Sequence, residues 1–94
     1  MSSAGGKKYE VVLSRRAATY LSRLDRPTKL TIVEHLRRLE VNPDDPGLNI
    51  RPLRGRPGEL RLRVGSYRII YTIDEAARRI LVITIRPRGD AYKK

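Results

Sequence analysis

The stretch Glu59-Leu60-Arg61-Leu62-Arg63-Val64-Gly65-Ser66-Tyr67-Arg68-Ile69-Ile70-Tyr71 decides the fold. Leu60, Leu62 and Val64 alternate with Arg61 and Arg63, the period-two pattern of a half-buried strand. Gly65-Ser66 supplies a two-residue turn with glycine at its first central position, as a type II′ hairpin requires. Val64 then faces Tyr67, Arg63 faces Arg68 and Arg61 faces Ile70. Directly opposed residues of an antiparallel pair project to the same face. Arg61, Arg63 and Arg68 therefore meet on one side, while Leu60, Leu62, Val64, Tyr67, Ile69 and Tyr71 form the other. Like charges set opposite one another destabilise a sheet, so the cluster reads as a seat for an anion.

Upstream of the hairpin, Tyr9 to Leu13 reads as a short strand, and Ser14 is a plausible helix N-cap. Residues 15–24 run helical, with Ala17, Ala18, Leu21 and Leu24 at helical spacing. Asp25-Arg26-Pro27 breaks that helix and starts another over 28–41, whose apolar stripe is Ile32, Val33, Leu36 and Leu39. The segment 48–58 is irregular and basic, with a short strand near Ile50. Downstream, Asp74 to Arg79 is a connection and Ile80 to Ile85 a strongly apolar last strand. That strand is apolar on both faces. Burying Leu81, Ile83 and Ile85 puts Thr84 and Arg86 beside Arg68. The tail carries Arg88 and Tyr92, which can fold over the same surface. The order of elements predicts an α+β fold, with two N-terminal helices packed on one face of a small antiparallel, mostly meander sheet. The arginine side is the opposite, solvated face. Residues 1–8 form a frayed N-terminal tail, and 9–94 a single domain.

A chain of 94 residues is expected to hold one core, built here from Leu, Ile and Val because there is no Phe or Trp. The 21 Lys and Arg against 10 Asp and Glu leave a net charge of +11, which points to a polyanionic partner, most often nucleic acid. The absence of cysteine removes disulfides, thiolate chemistry and cysteine zinc sites, and one histidine builds no histidine cluster, so no metal or cofactor is expected. No apolar run approaches a membrane span, and residues 1–8 lack the core of a secretory signal, so a cytoplasmic protein without membrane contact is expected. A phosphate-binding loop ending in Lys-Ser or Lys-Thr is also missing. His35, among Thr28, Thr31 and Arg38, reads as a surface position on the second helix.

A cationic surface without histidine or metal suits one reaction. RNA carries its own nucleophile, the 2′-hydroxyl, which attacks the adjacent phosphate. The protein then has to align that oxygen, stabilise the added negative charge and help the proton move. Guanidinium forks match phosphate oxygens for the second task. A tyrosine such as Tyr92 can stack on a base or steer a proton.

These residues resemble the RelE branch of the RelE/ParE toxin superfamily. Pro52-Leu53-Arg54-Gly55, followed by Gly58-Glu59-Leu60-Arg61-Leu62-Arg63, resembles one family stretch. Gly65-Ser66-Tyr67-Arg68-Ile69-Ile70-Tyr71 resembles the family core, and Arg88-Gly89-Asp90-Ala91-Tyr92 its terminal element. The resemblance covers residues 8–94 and implies a RelE-like, microbial-ribonuclease-type fold. It also implies the toxin of a type II toxin–antitoxin pair, a metal-independent endoribonuclease that enters the ribosomal A site and cuts mRNA there, inhibiting translation. A RelB-like antitoxin would silence a toxin that is monomeric when free. By the same carry-over Arg61 and Arg68 hold phosphate, Arg88 stabilises or protonates the leaving group, and Tyr92 orients the scissile nucleotide. Arg51, Arg54, Arg56 and Arg86 are assigned to RNA and ribosome binding, and either Arg86 or Arg88 can fill the catalytic role. Arg63 stands where some members use a lysine thought to act as general base. Arginine is a poor proton acceptor, so either Arg63 contributes charge alone or another group or a ribosomal moiety takes the proton. Two other readings compete: a ParE-like inhibitor of DNA gyrase, and a non-catalytic basic RNA-binding module.

Overall fold

A computed structural model describes residues 7–87. Strand β1 (Glu10–Leu13) leads into helices α1 (Arg15–Ser22) and α2 (Arg26–Val41), followed by strands β2 (Asn49–Pro52), β3 (Leu60–Val64), β4 (Tyr67–Asp74) and β5 (Arg79–Pro87). The sheet order is β1-β5-β4-β3-β2. Strands β2 to β5 form an antiparallel meander, and β1 joins its β5 edge in parallel. The architecture is α+β with both helices on one face, as the order of elements predicts. The parallel edge arises because the two helices carry the chain back across the sheet before the meander begins.

Capping sets the helix boundaries. The Ser14 side chain accepts from the Ala17 amide, and the Asp25 carboxylate accepts from the Thr28 amide just ahead of Pro27. Ala17 and Leu21 of α1, with Ile32, Leu36 and Leu39 of α2, pack on Leu62, Val64, Ile69, Tyr71, Ile80, Val82 and Ile85 of the sheet. Each fully buried Leu or Ile contributes roughly 1.5–3 kcal/mol over its exposed state, and these side chains hold the helices to the sheet. The outer edge of β1 is closed by Glu40 at the end of α2. Its carboxylate accepts from the Val11 amide at 2.9 Å, and its carbonyl accepts from the amides of Lys8 and Tyr9.

The central hairpin has the register its sequence predicts: Val64 opposite Tyr67, Arg63 opposite Arg68 and Arg61 opposite Ile70. Gly65 takes φ 57° while Ser66 does not enter the positive-φ region, which fits a type II′ turn. Strand β5 differs from expectation. Ile80 and Val82 are buried against the helices together with Ile85, whereas Leu81 is 42% exposed. The cause is a β-bulge. Ile70 pairs with Thr84 but Tyr71 pairs with Val82, so Ile83 is an extra residue that inverts the alternation. Thr84 and Arg86 nevertheless stand beside Ile70 and Arg68, on the face the sequence reading gave them.

Candidate active site

Two rows of side chains cross the face of the sheet opposite the helices. In one, Asn49, Arg63, Arg68 and Arg86 lie opposite one another on β2, β3, β4 and β5. In the next, Arg51 faces Arg61, followed by Ile70 and Thr84. The expected convergence of Arg61, Arg63 and Arg68 is therefore present, and the rows add Arg51 and Arg86 to it. This face is less open than a solvated sheet face, because all three hairpin arginines are half-buried and Ile70 is only 7% exposed.

The Nε atoms of Arg63 and Arg68 are buried and lack a hydrogen-bond partner among the described residues. The ion pairs Lys7–Glu40, Arg38–Asp45 and Arg56–Glu59 leave Arg63, Arg68 and Arg86 without a carboxylate among those residues. Neighbouring guanidinium groups at this spacing repel one another, and an unsatisfied buried donor costs about 1–3 kcal/mol. A phosphate seated between them would relieve both penalties.

The segment between β2 and β3 covers one end of these rows. It is two consecutive turns rather than an irregular loop. Gly55 (φ 75°) and Gly58 (φ 82°) occupy their third positions, and Pro57 precedes Gly58 as in a type II turn. The Arg56 amide donates to the Leu53 carbonyl, the Glu59 amide to the Arg56 carbonyl, and the Leu53 amide to the Glu59 carbonyl. The last bond extends the β2–β3 ladder and fixes the turns against the sheet. Arg56 and Glu59, at the two ends of the second turn, form a two-pronged pair with contacts of 3.0 and 3.1 Å. Glu59 raises the guanidinium pKa of Arg56 above its ordinary value, through the hydrogen bond first and charge second.

Between these turns and β5 lies a cavity of about 380 Å³. Its charged rim is Arg16, Arg56, Arg68 and Arg86 with Glu59, and Leu53, Ile70 and Ile83 supply apolar wall. Arg16 had no signal in the sequence. It arrives from α1 because Ser14 ties the start of that helix to β5, its amide donating to the Val82 carbonyl and its hydroxyl to the Ile83 carbonyl at 2.6 Å. Of the residues singled out in the sequence, Arg56, Arg68 and Arg86 line the cavity. Arg51, Arg61 and Arg63 share its face without lining it, and Arg54 is exposed in the first turn. Arg88 and Tyr92 lie outside the described residues. His35 is on α2, with Nδ1 2.8 Å from the Thr31 carbonyl, away from this face. No cluster of three or more His, Asp or Glu side chains among the described residues could hold a metal.

The family model described as the ParE toxin of type II toxin–antitoxin systems matches residues 11–92. The chain belongs to this toxin family. It falls within the RelE/ParE superfamily, as the hairpin and tail motifs imply. A chain of the archaeal RelE–RelB complex from Pyrococcus horikoshii is 25% identical and superposes with a TM-score of 0.76 over 87% of this toxin and 97% of that chain. A chain of the RelBE2 toxin–antitoxin complex from Mycobacterium tuberculosis is 26% identical, with a TM-score of 0.73 over 86% and 99%. The YoeB/ParE toxin from Agrobacterium tumefaciens, 20% identical, shares the fold with a TM-score of 0.72 over 83% and 96%. No curated protein sequence matches the chain. No helix of the described residues is long and apolar enough to cross a membrane.

Proposed function

We propose that this toxin is a ribosome-dependent endoribonuclease that cuts mRNA in the A site. The observation that carries the reading is the pairing of Arg68 with Arg86 on adjacent strands at the rim of one cavity, neither with a carboxylate partner among the described residues. A phosphodiester placed there would meet guanidinium forks from two directions. Its pentacoordinate transition state carries one more negative charge than the ground state, so fixed cations stabilise the transition state more than the substrate. The 2′-hydroxyl of the RNA supplies the nucleophile, and the products are a 2′,3′-cyclic phosphate and a free 5′-hydroxyl. Arg51, Arg61 and Arg63, in line across the sheet, would hold the flanking backbone, and Arg54 the ribosomal RNA. By the family resemblance, Arg88 and Tyr92 belong to the same centre.

Relatives crystallised as RelE–RelB complexes support an antitoxin partner of the RelB kind. An acidic antitoxin segment laid along the arginine rows would neutralise them and exclude RNA. Ribosome, mRNA and antitoxin together place the toxin's work in the cytoplasm.

The test is end-mapping of mRNA in a purified translation system. Cleavage that requires ribosomes, and that is lost in Arg68→Ala and Arg86→Ala, supports the proposal. Intact message with folded wild-type toxin refutes it. The ParE description of the matched family favours a second reading, inhibition of DNA gyrase. A supercoiling assay separates the two, because the proposed endoribonuclease leaves gyrase untouched.

A further inference from the structure

We propose that Glu59 is the group that takes the proton from the attacking 2′-hydroxyl. This inference rests on the endoribonuclease reading and supplies what the arginines cannot. Among the described residues, every other charged side chain lining the cavity is an arginine (Arg16 from α1, Arg56 from the same turn, Arg68 from β4 and Arg86 from β5), and Glu59 is the one acidic side chain among them. Arginine stays protonated throughout the working range and accepts no proton. A carboxylate on the rim of a phosphate seat is otherwise unfavourable, since it repels the ligand the arginines attract. Its presence there is explained if it handles a proton.

The geometry keeps that carboxylate available. Among the described residues the Glu59 carboxylate bonds only to Arg56, and the Arg56 side chain is 61% exposed while that of Glu59 is 19% exposed, so the pair parts by movement of the guanidinium into solvent while the carboxylate stays at the cavity. When RNA enters, Arg56 can trade the carboxylate for a phosphate oxygen, which frees Glu59 to face the ribose. The turn that carries both residues is pinned by the Leu53–Glu59 backbone bond, so the exchange needs side-chain rotation and no loop opening.

The step balances without a further reactant. The Glu59 carboxylate removes the 2′-hydroxyl proton as the O2′–P bond forms. The P–O5′ bond breaks, its electron pair leaves with the 5′ oxygen, and that oxygen takes a proton from water. Glu59 then returns its proton to solvent.

The experiment measures the cleavage rate against pH for wild type, Glu59→Gln and Glu59→Asp on ribosome-bound mRNA, with thermal melts confirming that each variant folds. Binding of the same message carrying a 2′-deoxy residue at the scissile position is measured alongside. General base catalysis contributes typically 10²–10⁴-fold. Glu59→Gln is expected to slow cleavage by about 10²-fold or more, to bind the deoxy message at least as tightly as wild type does, and to lose the acid limb of the profile. Glu59→Asp, which keeps a carboxylate, retains that limb at a reduced rate and covers the case in which the glutamine variant fails to fold. Wild-type cleavage with Glu59→Gln within about threefold and an unchanged acid limb overturns the role of Glu59 alone. Loss of deoxy-message binding in step with the rate overturns it as well, since the residue would then serve in positioning. Absence of cleavage by folded wild type overturns the endoribonuclease reading, and this inference with it.

Discussion

Arg68→Met is expected to make the protein more stable and its cleavage activity much weaker. Arg68 stands opposite Arg63 on one side and Arg86 on the other, so one substitution removes two like-charged cross-strand pairs. Each such pair costs roughly 0.2–1 kcal/mol. The substitution also removes the buried, unpartnered Nε, a penalty of about 1–3 kcal/mol. Methionine keeps an unbranched apolar stem, so packing loss is small. Together these terms give a gain of about 1.4–5 kcal/mol, and for a domain of this size even the lower end raises Tm by roughly 6–11 °C. The gain should shrink as salt rises, because the screening length falls to about 3 Å at 1 M. In the proposed reaction the same guanidinium stabilises the phosphorane, and its loss is expected to slow cleavage by about 10²–10³-fold. Thermal melts at low and high salt, with mRNA end-mapping on the same samples, test both halves. A variant that melts at or below wild type in low salt, with no narrowing of the gap in high salt, would show that the arginine row is not under electrostatic strain.

Gly58→Ala forces a Cβ into φ 82° where nothing lies within 4 Å, so the cost is conformational, about 1–2 kcal/mol by urea denaturation. Ser14→Ala removes both the cap to Ala17 and the bond to the Ile83 carbonyl, and is expected to lower stability by about 1–2 kcal/mol in the same measurement. Tyr71 has a buried hydroxyl with no partner among the described residues, and burial, followed by the charge of Asp44, pushes its pKa up to about 12. The unfolded phenol ionises near pH 10 and the folded one later, so stability is full below pH 10 and falls by about 2–3 kcal/mol as pH rises to 12. Tyr71→Phe should lose that alkaline slope and be neutral to slightly more stable at pH 7, which denaturation at several pH values reads out.

The central hairpin was legible because two independent local signals agree. The alternation of Leu60 to Val64 fixes the face, and Gly65-Ser66 fixes the register. Strand β5 was only half legible. Residues 80–83 are apolar throughout, so alternation could not choose a face, and a bulge leaves no mark in a run of this kind. The double turn carrying Arg56 and Glu59 was written in Gly55 and Pro57-Gly58, but those signals mark turns without showing what they cover. Arg16 could not have been placed, since its position depends on the parallel pairing of β1 with β5, which joins residues far apart in sequence.

The bulge at Ile83 makes this site sensitive to a change of one codon. Deleting Ile83 would leave the pairing on either side intact, with Val82 still opposite Tyr71 and Thr84 still opposite Ile70. It would also remove an apolar wall of the cavity and the carbonyl to which Ser14 anchors α1. The shortened chain could thus keep its fold while releasing Arg16 from the rim, so that inactivation of the toxin need not pass through loss of the folded protein.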